Sequence, residues 1–173
     1  MAATKNAQNI KNDTKDFITT ALLKLLKKQR LQEITISKVV SRAGVSRMAF
    51  YRNFDTLQQV LYEYYEPKIK LVFENMKKTP EKSVMLNTHF NFFSNFSEDL
   101  VLSHKHGYET IISNIFTKQV EYFYSNNDND YQITFIAAGA YAIWRKWLLG
   151  GTKEPLEEVI HILNMFHKVM PTP

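Results

Sequence analysis

This 173-residue sequence predicts an all-α fold, with a small helical head at the N-terminus and a larger helical bundle behind it. Three observations carry that reading. Apolar residues recur at three- and four-residue spacings through most of the chain. Helix start signals precede these runs, and glycine or proline punctuates them at Gly44, Pro67, Pro80, Gly107 and Gly150-Gly151. A composition that is 45% apolar is enough, at this length, to bury a core.

Charge is distributed unevenly. Residues 1–54 hold 11 Lys and Arg against 3 Asp and Glu, a net +8, whereas residues 55–173 hold 11 against 14, a net −3. A basic head on a mildly acidic body suits a polyanion bound at one end, because neutralising phosphates releases counterions. Cysteine is absent, which excludes disulfides, thiolate zinc sites and a thiol nucleophile. The first nine residues have no apolar run of the signal-peptide kind, and the longest apolar stretch, Ile133 to Trp144, falls short of the about 20 residues a bilayer requires. A cytoplasmic protein without a membrane span is expected.

Residues 1–12 are polar, carry Lys5 and Lys11, and read as a flexible basic arm. The first helix is expected from Asp13 or Thr14, with Phe17, Ala21, Leu22, Leu25 and Leu26 as its buried stripe and Lys15, Lys24, Lys27 and Lys28 opposite. Two short helices joined by a tight turn follow over residues 35–54. Thr35 and Ser46 are placed to cap them, and Ile34 and Val45 to staple onto Val39 and Phe50. Between them Gly44 is free to take a positive φ at the helix end. This is a helix-turn-helix. Arg47, Met48, Tyr51 and Arg52, with Asn53 at the end, occupy the second helix's outer face, while Phe50 and Phe54 turn inward. Arginine suits a guanine edge, and Tyr, Arg and Asn suit phosphate oxygens.

A fourth helix opens at the Thr56/Gln59 capping-box spacing and runs through Leu57, Val60, Leu61, Tyr64 and Tyr65 to a kink or break at Pro67. It marks the boundary between a head over 1–54 and a body over 55–173. Thr79-Pro80-Glu81 opens the next helix, which is rich in aromatics at Phe90, Phe92, Phe93 and Phe96 with His89 among them. Single phenylalanines of this kind pack cores, but the group also suits the wall of a pocket for a small apolar or aromatic effector, and His89, Phe90, Phe93, Phe96, Tyr108, Ile112 and Phe116 are the candidate lining. Gly107 stops that helix, and Tyr108 to Phe123 form another up to the Asn- and Asp-rich loop after Ser125. The last two helices are Tyr131–Leu149 and Leu156–Met170. The first is apolar nearly all round and needs cover on more than one side, so the pair is expected to form half of a four-helix bundle completed by a second subunit.

The run Ile34 to Val40, then Ala43-Gly44-Val45-Ser46 and Phe50-Tyr51-Arg52-Asn53-Phe54, resembles the DNA-binding head of TetR-type bacterial transcriptional regulators, over about residues 13–65. The resemblance implies a homodimer, joined through the last two helices, that binds a palindromic double-stranded operator and responds to an effector in its body, most simply as a repressor. It places Arg47, Met48 and Ala49 where bases are read, Ser37 at a helix-two contact beside the capping Ser46, and Lys38, Tyr51, Arg52 and Asn53 on the phosphate backbone. Leu57 stands where the family usually has a phosphate-binding lysine, and Lys5, Lys11 and Lys15 are the candidate substitutes.

Rival readings are weaker. Glu158 and His161 have a Glu-x-x-His spacing, but a di-iron site needs a second such pair, and His104 with His106 lack further metal ligands nearby. No metal, cofactor or enzymatic activity is expected. A co-regulator that keeps this fold and acts mainly through a protein partner is the alternative.

Overall fold

The computed structural model describes residues 5–78, 96–124 and 129–167, and these are helical with no strand among them. In order come α1 (Lys5–Leu26), a 3-10 turn (Leu31–Glu33), α2 (Ile36–Ala43), α3 (Arg47–Tyr51), α4 (Leu57–Lys78), α5 (residues 96–106), α6 (Glu109–Phe123), α7 (Asp130–Leu149) and α8 (Leu156–His167). No helix among the described residues is long and apolar enough to cross a membrane. His89, Phe90, Phe93 and the Thr79-Pro80-Glu81 start lie outside the described residues, as does Met170.

Two expectations for α1 are corrected. The helix begins at Lys5, not at Asp13 or Thr14, because residues 5–12 contain no glycine or proline to stop it growing backwards. Its buried stripe is Ile18, Ala21, Leu22 and Leu26, while Phe17 is 57% exposed. Ile18, Leu22 and Leu26 keep strict i, i+4, i+8 spacing, and Phe17 lies one position off that line.

α4 is the spine. At about 1.5 Å per residue its 22 residues span about 33 Å. Its first half packs on α1, with Val60, Leu61 and Tyr65 fully buried; its second half packs on α6, where Phe73 meets the rings of Phe116 and Phe123. The break expected at Pro67 does not occur. Pro67 is exposed, and the buried Tyr65 and Ile69 on either side hold the helix together. Thr56 caps the helix as its spacing suggests, accepting from the Gln59 N–H at 3.1 Å, although the Gln59 carboxamide reaches one residue further back to the Asp55 N–H.

Gly107 ends α5 at φ 76°, and the Tyr108 N–H returns to the Ser103 carbonyl at 3.0 Å, the wrap-around bond of a Schellman turn. Asn129 caps α7 by accepting from the Gln132 N–H. One cluster of buried apolar side chains runs unbroken from Ile18 in α1 to Ile160 in α8. Only one side of α7 enters it, through Ile133, Ile136, Ala137, Trp144 and Leu148. The other side shows Tyr131 at 90% exposure and Phe135 at 61%, continued by exposed Ala138, Ala142 and Leu149.

Candidate nucleic-acid interface

The geometry of the head starts from two caps and a glycine. Thr35 Oγ1 accepts from the Lys38 N–H at 3.3 Å and starts α2; Ser46 Oγ accepts from the Ala49 N–H at 3.0 Å and starts α3. Between them Gly44 sits at φ 69°, and its N–H and that of Val45 both reach the Val40 carbonyl. A helix of five residues has little stability of its own. α3 is held by Phe50, fully buried, and by Phe54 beyond it, whose rings lie 6.0 Å apart.

With those two rings inward, Arg47, Met48, Tyr51 and Arg52 are all exposed, Met48 at 64%. Ser37 and Ser46 are also exposed, and Ala49 is half-buried. The guanidinium groups of Arg47 and Arg52 make no hydrogen bond or ion pair among the described residues and are open to a partner. Tyr51 stands edge-on to Phe50 at 5.5 Å, which fixes its direction.

Three expected phosphate holders are engaged elsewhere. Lys38 Nζ donates to Gln29 Oε1 at 3.2 Å and to the Glu33 carbonyl at 3.0 Å, tying α2 to the turn before it. Asn53 Nδ2 donates to the Ala49 carbonyl at 2.7 Å and closes α3. Lys15 pairs with Glu63 at 2.6 Å and lies over the Phe54 ring, so it clamps α1 to α4. Leu57 itself is buried in the core. The Lys15–Glu63 contact joins residues 48 apart in the chain and leaves no trace in local spacing.

Neither a protein-family model nor a curated protein matches this chain.

Among the described residues of the body a partly open cavity lies between α5, α6 and α7, of about 20 Å³, enough for roughly one water. Leu100, Ile112, Phe116, Trp144 and Leu148 form its apolar wall. Of the four candidate lining residues that the structure describes, Ile112 and Phe116 are there, whereas Phe96 and Tyr108 are buried in the core and do not line it. Sequence reading missed its polar corner, where Glu109 at the start of α6 meets Arg145 and Tyr141 from α7 and His104 from α5. Arg145 Nε donates to Glu109 Oε1 at 2.5 Å, Tyr141 donates to the same oxygen at 3.3 Å, and His104 Nδ1 lies 2.7 Å from Glu109 Oε2. Burial alone would raise the Glu109 carboxyl, but the bonds from Arg145 and then His104 outweigh it and hold the carboxyl below its ordinary range. Burial, and then the Glu109 charge, push the Tyr141 phenol up. A second, open groove lies between α4 and α6, lined by Gln58, Tyr62, Ile111, Asn114, Lys118 and Glu121. Among the described residues no group of three or more His, Asp or Glu is arranged to hold a metal ion.

Proposed function

We propose that the chain is a sequence-specific transcription regulator of the TetR type, a ligand-responsive repressor that binds a palindromic double-stranded operator as a homodimer. The observation that carries this reading is the outward face of α3. Arg47, Met48, Tyr51 and Arg52 project together from a short helix whose cap and two buried rings make it rigid. Arg47 takes a base edge, Met48 offers an apolar surface to a thymine methyl, and Tyr51 and Arg52 hold phosphates. The excess of cations in residues 1–54 supports the same partner.

The uncovered side of α7 supports the dimer. Tyr131, Phe135, Ala138 and Ala142 follow the three- and four-residue steps of a helix-packing seam, and Met165 on α8 is half-exposed as well. Two heads so joined read half-sites about one helical turn apart, roughly 34–36 Å.

A second reading, a co-regulator acting through a protein partner, is favoured by one observation: Lys15 and Lys38 are spent within the fold and Leu57 is buried. Selection of bound duplexes from a random pool, followed by binding at rising salt, separates the two. A regulator prefers the selected sequence over its scramble and loses affinity with a log–log slope of about −0.9 per phosphate contact. Equal binding of both duplexes at low ionic strength sinks the operator reading.

A further inference from the structure

We propose that the body cavity takes a short apolar carboxylate, its acid group on Arg145 and its apolar end against Ile112, Phe116 and Trp144. The proposal rests on the reading of the body as an effector domain and gives its ligand a chemical class.

The argument is one of unspent donors. Arginine has five N–H groups in a planar fork. Arg145 commits the one on Nε to Glu109 Oε1, and its Nη1 has no partner among the described residues. Its Nη2 is 3.5 Å from Glu109 Oε2, a poor bond, and 3.1 Å from His104 Nδ1. That nitrogen cannot donate to Glu109 and accept from Arg145 at once. The 2.7 Å contact to Glu109 Oε2 is the shorter, so Nδ1 carries the proton, donates it to Glu109 and offers Nη2 no acceptor. Glu109, by contrast, is already served by Arg145, Tyr141 and His104. A cationic ligand would have to displace Arg145 from it. An anion finds the open side of the guanidinium vacant.

The walls set the rest of the ligand. Ile112 is 1% exposed and Trp144 4%, which makes them an apolar floor; Leu149, 37% exposed, stands at the rim with Arg145. The acid therefore stays at the mouth and the apolar end enters. A space of about 20 Å³ holds roughly one water as it stands, so its walls must part to admit a short ligand and the binding is an induced fit.

The test uses the full chain without DNA and follows tryptophan emission during titration with phenylacetate, phenethyl alcohol and phenethylammonium, which share one apolar group. Expected is a saturable response to the acid, with the alcohol and the ammonium weaker by about tenfold or more. Arg145→Gln removes the preference for the acid, and Arg145→Lys keeps part of it. Circular dichroism reports whether each variant is folded; if Arg145→Gln is not, the Lys variant and the ligand ranking on the unaltered chain decide. Equal binding of all three probes, preference for the ammonium, an unchanged acid preference in folded Arg145→Gln, or no saturable response to the acid at millimolar concentration overturns the proposal. Acid binding by a protein that prefers no duplex would leave this inference standing and remove the regulator reading; an operator binder indifferent to the acid would do the reverse.

Discussion

The side-chain amide of Gln32, in the turn just before α2, donates to the carbonyl of Gly107 at 3.2 Å, across 75 residues of chain. This bond joins the head to the α5–α6 corner, and His104 and Glu109, on either side of that corner, line the body cavity. Beside it Tyr65 of α4 donates to Asp99 at 3.0 Å and stacks on Tyr108. A shift at the cavity's polar corner therefore has a short mechanical route to α2 and to α4, which is the requirement for coupling two sites through one rigid element.

Gly107→Ala is expected to destabilise the fold by about 1–2 kcal/mol, because an L residue at φ 76° is strained. An added Cβ would also meet the Gln32 carboxamide at 2.8 Å, but the end of a flexible side chain yields cheaply. Urea unfolding in a Gln32→Ala background should leave most of the loss. Full recovery there would mean that crowding, not backbone strain, is the cause.

Ser46→Ala removes the cap of a five-residue helix and should cost about 1 kcal/mol. Duplex affinity should fall with it, since the groups on α3 are then less rigidly aimed. Unfolding free energy and binding to the selected duplex, measured on one preparation, check both halves.

Arg47→Ala should cost about 1–3 kcal/mol on the selected site and relax preference at one base pair. Arg52→Ala should weaken all duplexes alike and reduce the salt slope by about one. Lys38→Ala should do neither. Its ammonium already bonds Gln29 and the Glu33 carbonyl, so the loss should appear in stability. A reduced salt slope in Lys38→Ala would show that the lysine leaves those partners for phosphate.

Phe135→Glu places a charge on the uncovered face of α7, 61% exposed in the single chain. Light scattering should change from dimer to monomer while far-ultraviolet circular dichroism stays the same. A variant that remains dimeric would move the interface off this face.

Acid should weaken the fold through Glu109. Its carboxyl titrates below the ordinary range in the folded chain, so its contribution is complete above the unfolded value and is lost as pH falls through the folded one. Glu109→Gln should therefore be less stable than the unaltered chain at neutral pH and lose less on acidification. Parallel urea midpoints for the two proteins from neutral pH downward would contradict the assignment.

Local signals were legible in the sequence. Thr35, Ser46 and Thr56 cap the helices their spacing indicates, Gly44 and Gly107 end theirs at positive φ, and Phe50 with Phe54 packs inward. Each of these is decided within four or five residues, where chain neighbours are also spatial neighbours. The start of α1 was not legible, because residues 5–12 carry no apolar period and yet nothing that stops a helix.

Tertiary structure alone decided the rest: that Ile18 and not Phe17 faces the core, that α4 runs through Pro67, that Lys15 is used inside the fold, and that the cavity's polar corner is Glu109, Arg145, Tyr141 and His104. Glu109 and Arg145 are 36 residues apart, Lys15 and Glu63 are 48 apart, and Gln32 and Gly107 are 75 apart. Periodicity records which face of a helix is apolar. Which polar groups meet across two helices depends on how those helices are set against each other, and burial of the shared core sets that.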